Sequence, residues 1–398
     1  MYEAKFSKYI TKSHSRFAEP EEITAGLQKT GSSGSTCAGV PLYYDGECLY
    51  EDTSDAHTIG VGPTGCKKTR TLVIPLVNSI ISAGESAVIN DPKGELYKYT
   101  GGLARQRGAD IRILNFRKPS SSNGWNPLSM PYKYYKMGEE EEAVQAINDF
   151  ISSVIAPLLE KTVDRYWSDS ANSFMVSAAL MLMDSVPAAY FNLKNLIQFC
   201  YEDNAPYLKK MVENMDQSSS AVMGMRPTLD LEAERTKSCI FSTVLSAFSP
   251  FMKNNKLLDM LCADDISFTG LGEKQTIIYV IYPDEKTNLN FLVNAFLTQC
   301  YEALISISEK DHGGRVPLRV NFVLDEFSNL PAIPNFDNRI SEARSHNVRF
   351  HLFIQSYGQL QNKYKEHAET ILSNCNNWIC FSSKEIGFLK TKIGRAHV

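Results

Sequence analysis

Gly62-Pro63-Thr64-Gly65-Cys66-Lys67-Lys68-Thr69 follows the apolar run His57–Val61 and leads into a helical pattern from about Thr69 to Ser82. A glycine-rich turn between a strand and a helix N-terminus presents backbone N–H groups to phosphate oxygens, the arrangement called a P-loop. In that chemistry Lys68 reaches the β- and γ-phosphates of ATP and Thr69 ligates Mg²⁺. One position departs from the pattern, because Lys67 stands where glycine is usual. A side chain there crowds the phosphates, while an outward-pointing ammonium adds attraction for polyphosphate at a helix N-terminus. A second group lies in Val320–Phe327, where Phe322-Val323-Leu324 runs straight into Asp325-Glu326. Apolar residues ending in two acids are how a buried strand presents carboxylates at its carboxyl edge. Asp325 then holds Mg²⁺, mostly through water, and Glu326 is the general base for an attacking water. Taken alone, the octet is a glycine-rich turn and the acids are a solvated strand end; each makes the other's chemical reading the better one.

The elements that must position these residues are short apolar runs alternating with helical ones. Candidate strands are His57–Val61, Ser86–Asn90, Ile111–Asn115, Thr276–Tyr282, Arg319–Leu324, Arg349–Gln355 and Trp378–Phe381. Such spacing predicts an α/β fold with a doubly wound, mainly parallel sheet. Between Asn115 and Thr276 no strand is expected; Val144, Ile147, Ile151 and Ile155 share one helical face, and an inserted helical subdomain is the simplest account. Helix-free boundaries are expected at Pro187, at Asn204-Ala205-Pro206 and around Arg226-Pro227. Near the amino end, Gly31–Ser35 reads as a flexible linker, and Val40–Tyr50 reads as a hairpin around Asp45-Gly46. The organisation that follows is a lead-in and hairpin at 1–55, a nucleotide-binding domain in two parts at 56–135 and 266–392, and an all-α insertion at 136–265.

The 398 residues carry 41 Lys and Arg against 45 Asp and Glu, a formal net charge of −4. Bulk charge therefore excludes a generally basic nucleic-acid binder, and any DNA contact has to come from a local patch or a channel shared by several copies. With 43% hydrophobic and 22% charged residues the chain is globular. Nine scattered cysteines without a Cys-x-x-Cys pair, several in apolar runs such as Ser238-Cys239-Ile240-Phe241, suit buried, reduced thiols. No leader peptide and no bilayer span are expected, which places the chain in the cytoplasm. The last six residues, Ile393–Val398, translate a sequencing-adapter string (ATC GGA AGA GCA CAC GTC), so the natural chain is expected to continue past about Thr391.

Six ordered blocks give the chain a family resemblance. They are His57-Thr58 with Gly62-Pro63-Thr64-Gly65, Asp91-Pro92-Lys93-Gly94-Glu95-Leu96, Trp125-Asn126-Pro127-Leu128, Tyr166-Trp167-Ser168-Asp169-Ser170-Ala171, Glu234-Arg235-Thr236 and Leu324-Asp325-Glu326-Phe327. From about Arg16 to Lys390 the sequence resembles the TraG/TraD-type coupling proteins of conjugation and type IV secretion, hexameric DNA-pumping ATPases related to FtsK and HerA. The resemblance implies a RecA-like P-loop domain with an inserted all-α domain, ATP and Mg²⁺ as ligands, and a homo-hexamer. It also implies single-stranded DNA with its relaxase as cargo, type IV secretion channel proteins as partners, and a peripheral place at the inner face of the membrane reached through those partners. Arg344, matching an arginine on the helix after the acidic pair, would enter the neighbouring subunit's nucleotide site. Gln355 would sense the γ-phosphate. Their plain alternatives are a solvated helix charge and a polar strand cap. Lys93 would touch phosphate or cap the helix beginning near Glu95; Tyr166 and Trp167 are read as packing aromatics. Lys93, Arg117 and Lys118 are candidate cations for the bore of a ring. Two departures, Lys67 and the lack of membrane-spanning helices, leave two readings: an ATP-driven translocase, or a nucleotide-binding relaxosome receptor with little turnover. A packaging or segregation motor of the same superfamily is a third.

Overall fold

The computed structural model describes residues 18–29, 37–159, 165–268, 270–283 and 289–381. The expected linker Gly31–Ser35 and the tail 393–398 lie outside these residues. A small antiparallel sheet comes first, from β1 (Gln28–Lys29), β2 (Val40–Tyr44) and β3 (Leu49–Asp52), in the order β1-β3-β2. The β2–β3 hairpin forms where its turn chemistry puts it. Asp45 Oδ1 accepts from the Glu47 and Cys48 amides, and Gly46 takes φ +103°.

Seven strands build the main sheet: β4 (His57–Val61), β5 (Ser86–Asp91), β6 (Asp110–Asn115), β7 (Thr276–Ile281), β8 (Val320–Leu324), β9 (Val348–Ile354) and β10 (Cys375–Cys380). Their order is β10-β4-β9-β8-β5-β7-β6, and every neighbouring pair is parallel. Each expected strand is present, with ends shifted by a few residues at most. Strand side chains alternate between two cores. Ala87, Ile89, Ile277, Tyr279, Val323 and Phe353 pack with Leu72–Ile81 and Leu96 on one face. Val88, Ile278, Val280, Phe322, Leu324 and Leu352 face the other way, into the core that holds the helix Asn290–Asp311. The result is a three-layer α/β sandwich buried on both sides of its sheet.

Between β6 and β7 every described strand-or-helix element is helical, from Ser129–Lys136 to Asn255–Met260. Ile147, Ile151 and Ile155 are buried on one face of the helix Glu140–Leu159, with Val144 half-buried beside them. A break falls at Pro187 as expected, but Asn204-Ala205-Pro206 is not helix-free: the chain breaks at Tyr201, and the 3₁₀ turn Glu202–Asn204 runs directly into the helix Ala205–Asn214, whose first turn accepts Pro206. The expected break at Arg226-Pro227 is absent: the helix Ser220–Leu229 runs through Pro227. Pro227 leaves the Met223 carbonyl without its ladder N–H, but Met223 is exposed, where water can serve that carbonyl, and the buried Met225, Thr228 and Leu229 hold the helix in place. Cys200, Cys300 and Cys375 are buried, but Cys239 is exposed, because the apolar run around it belongs to a helix of which Cys239 faces outward. Asn290–Asp311 is the one helix among the described residues long and apolar enough to cross a membrane; two thirds of its apolar window is buried inside the fold.

Candidate active site

The sheet order decides what meets what. β9 lies between β4 and β8, so the ends of three adjacent parallel strands deliver Gly62, Gln355 and Asp325 to one edge. β5 brings Asp91 to the same edge. That edge is the carboxyl edge, where α/β sheets bind ligands.

The octet loop is tied down by the sheet. The Gly62 amide donates to the Ile354 carbonyl at 3.1 Å, and a Cβ on Gly62 would lie 2.7 Å from Cys66 Sγ, so the loop closes only on glycine. Gly65 takes φ +85° and Lys67 takes φ +66°. Lys67 is therefore left-handed, a conformation that costs an L residue about 1–2 kcal/mol and explains why glycine is usual there. Its side chain is exposed. Lys68, 5% exposed, donates from Nζ to the Gly62 carbonyl at 3.1 Å and the Ile354 carbonyl at 3.0 Å. Two of the three ammonium protons are thus directed, leaving one for an oxyanion.

The helix after the loop opens as a π-turn, Thr69–Val73, before the α-helix Ile74–Ser82. Pro75 has no N–H for the Thr71 carbonyl, so an unbroken α ladder is impossible; the Ile74 amide reaches back to Thr69 instead. The wide turn leaves Thr69 Oγ1 3.3 Å from Asp325 Oδ2.

Asp325 is 6% exposed, and burial, with Glu326 as a second cause, pushes its carboxyl up to about 6, against the pull of Lys68. Glu326 is held at φ +54° and accepts from Gln355 Nε2 at 2.7 Å. The two residues singled out from separate motifs are hydrogen-bonded partners. Thr69, Asp91, Pro92, Lys93, Glu95, Asp325 and Glu326 line a cavity of about 20 Å³, the size of one water or one small cation. Asp91 caps the helix Glu95–Gln106 by accepting from the Tyr97 amide, and burial raises its carboxyl from the usual range. Larger hollows of about 460 and 430 Å³ lie away from the strand ends, along the helix Glu234–Met252 and between the helices Glu140–Leu159 and Asn290–Asp311. Neither is lined by Thr69, Asp325 or Glu326, so the smaller cavity is the chemical one.

Arg344 is elsewhere. It lies in the turn after the helix Phe336–Glu342, not on a helix, and pairs with Asp55 at 2.9 Å. Both residues precede strand starts, on the amino edge, a strand length of roughly 16 Å from their own loop. His57, fully buried, accepts from the Phe350 amide and bonds the Ile340 carbonyl at 2.9 Å each; burial holds its pKa down to about 4. It is a neutral brace for the Arg344 turn. Tyr166 is 48% exposed and Trp167 half-buried, edge-to-face at 5.1 Å, so the packing expectation holds for Trp167 alone. Sequence reading missed Lys363, whose ammonium donates to the Ser328 and Leu330 carbonyls, and Tyr364, stacked on Phe327; together they support the segment after the acids. A Lys-Tyr pair on an exposed-looking helix carried no signal for that role.

The donor set suits a hard divalent cation: Thr69 Oγ1 and an Asp325 carboxylate oxygen beside a cavity of one-ion size. Among the described residues no group of three or more His, Cys, Asp or Glu forms a metal site.

A family model described as Type IV secretory system Conjugative DNA transfer matches residues 12–396. Conjugal transfer protein TraG of Escherichia coli is 25% identical over 415 residues, covering 94% of this chain and 62% of TraG. Coupling protein TraD of Escherichia coli strain K12 is 22% identical over 377 residues, covering 91% of this chain and 46% of TraD. The chain thus spans about half the length of the curated relatives it matches. Among solved structures, plasmid coupling protein TrwB in complex with the non-hydrolysable ATP analogue ADPNP aligns with a TM-score of 0.65 at 15% identity, over 98% of this chain and 84% of TrwB. TrwB with ADP and Mg²⁺ gives 0.62 at 16%, over 94% and 81%. VirB4 of Thermoanaerobacter pseudethanolicus gives 0.55 at 13%, over 91% and 89%. At these identities the likeness is one of fold.

Proposed function

The chain belongs to the type IV secretory system conjugative DNA transfer family, and from that premise we propose that it hydrolyses ATP to drive single-stranded DNA, joined to its relaxase, into a type IV secretion channel. The observation that carries this reading is the convergence of Lys68, Thr69, Asp325, Glu326 and Gln355 on one sheet edge, with Glu326 bonded to Gln355 and Thr69 bonded to Asp325. A bare nucleotide receptor needs the loop but not a general base, so the turnover reading is the better supported. The relatives in complex with ADPNP and with ADP and Mg²⁺ support the same ligands here.

Each residue has a task. The remaining Lys68 proton binds a γ-phosphate oxygen. Glu326 takes the proton of the attacking water, and Gln355, on the same carboxylate, fixes its direction and responds to the phosphate. Mg²⁺, when bound, would supply charge neutralisation for the phosphates, with Thr69 and Asp325 as the side chains that would hold it. Arg344, on the opposite edge, serves a neighbouring subunit in a ring of six, adding positive charge to its γ-phosphate. Residues 56–135 and 266–392 form the motor domain and 136–265 an all-α domain. Lys93, Lys118 and Arg117 give the bore its cations. The protein works in the cytoplasm at the inner membrane face, reached through channel proteins.

The test is phosphate release at increasing single-stranded DNA, with Lys68→Ala as control. Hydrolysis that rises with DNA and disappears in Lys68→Ala agrees with the proposal. Release equal in the two proteins overturns it.

A further inference from the structure

Asn90 is the penultimate residue of β5, in register with Leu324 of β8 and Val280 of β7, and its side chain is completely buried. It stands in a strand interior otherwise filled by Ala87, Val88 and Ile89, where an aliphatic side chain is the easy choice. Its Nδ2 donates to the Asp325 carbonyl at 2.6 Å and to the Tyr282 hydroxyl at 3.1 Å. Its Oδ1 has no hydrogen-bond partner among the described residues. A buried amide with an orphaned oxygen is a net burden to a fold, and such groups call for a reason other than stability.

The reason is visible in the bond itself. The carbonyl that Asn90 grips belongs to the peptide joining Asp325 to Glu326, and Glu326 is left-handed at φ +54°. A glutamate adopts that conformation only where its surroundings fix it. Asn90 fixes it from below the strand end, and Gln355 bonds the carboxylate from the far side. Asn90 is itself anchored from the flanking loops. Tyr282, whose hydroxyl it meets, accepts at its carbonyl from Arg117 Nε at 3.1 Å, and the same Nε bonds the Pro92 carbonyl at 3.2 Å. The chain ends after β5, β6 and β7 are thereby joined to the peptide that aims the base.

We propose that Asn90 is a positioning residue for hydrolysis, holding the Asp325–Glu326 peptide so that the Glu326 carboxylate points at the water it activates. The inference rests on Glu326 being the base of an ATPase. Its loss misdirects the carboxylate without touching the phosphate loop, and a misplacement of about 1 Å costs on the order of 10² in rate.

The test is Asn90→Leu, which keeps the branched shape of the side chain, though larger, and removes both its hydrogen bonds and the orphaned oxygen. Expected are a melting temperature within about 5 °C of the parent, unchanged ATP affinity within about twofold, and turnover lower by roughly 10- to 100-fold. In a Glu326→Gln background Asn90→Leu should cost nothing more, since both act through one carboxylate. Independently of turnover, amide exchange over Glu326–Asn329 should accelerate at least about tenfold, while exchange over Gly62–Thr69 stays as in the parent. Parent-like exchange at Glu326–Asn329 overturns the inference, as does parent-like turnover. A parent protein that hydrolyses no ATP sinks the proposed function instead, and the exchange comparison then decides the Asn90 inference alone.

Discussion

Replacing Lys67 by glycine isolates the one departure in the phosphate loop. Lys67 holds φ +66° with an exposed side chain, and its carbonyl accepts from the Arg70 and Thr71 amides that start the helix. The left-handed backbone costs a lysine about 1–2 kcal/mol, which glycine does not incur. Glycine brings back about 0.5–1 kcal/mol through the freedom of its unfolded state. Lys67→Gly should therefore stabilise the protein by about 0.5–1 kcal/mol, a rise in melting temperature of about 1–2 °C for a chain this long. Losing one exposed cation at a helix N-terminus weakens nucleotide binding by about 0.3–1 kcal/mol, roughly two- to fivefold. Turnover moves the other way, by about tenfold or more, because a freed loop places the γ-phosphate better. Differential scanning calorimetry, titration with a fluorescent ATP analogue and steady-state phosphate release read the three quantities separately. A variant that melts lower, or turns over no faster, refutes the reasoning and makes Lys67 an adapted part of the loop.

Glu326→Gln should keep ATP binding and reduce turnover by roughly 10²–10⁴, read by phosphate release beside equilibrium binding. Asp325 must be ionised to serve Mg²⁺, so Mg²⁺-dependent nucleotide affinity should fall as pH drops through about 6. Because its folded pKa lies above 3.8, the metal-free fold binds that proton more tightly than the unfolded chain. Stability from this group is therefore present at low pH and lost by about pH 6, and Asp325→Asn should stabilise the metal-free protein at pH 7 by about 3 kcal/mol in denaturant titrations. Arg344→Ala should be nearly inactive alone and regain turnover when mixed with Asp325→Asn; no recovery at any mixing ratio rejects its action across a subunit boundary. Sedimentation with ATP and single-stranded DNA should show assemblies of six, and monomer at every concentration contradicts the ring.

Strands were the legible part of this chain. In a sheet covered on both faces, runs such as Phe322-Val323-Leu324 and Phe350–Ile354 are apolar without interruption, so all seven stand out, and Asp325 and Gln355 mark where they end. What joins residues across the sheet was not legible. The Glu326–Gln355 bond depends on β9 neighbouring β8, and no residue pattern states strand order. Asn90 is one polar residue at a strand end, indistinguishable from a cap until its partner is seen. The Arg344–Asp55 pair spans 289 positions. Proline misled twice and would have helped once. Pro206 opens a helix and Pro227 is absorbed in a final helical turn, whereas Pro75 forces the π-turn that brings Thr69 to Asp325.

The central claim is that the two acids after β8 make a hydrolytic site and not only a nucleotide pocket. A single-turnover experiment on pre-bound radiolabelled ATP, comparing the parent with Glu326→Gln in the presence of Mg²⁺ and single-stranded DNA, tests it most directly. The account predicts that the parent converts its bound ATP to ADP while Glu326→Gln retains ATP intact at matched occupancy. Equal conversion in the two proteins, or intact ATP on both, contradicts it.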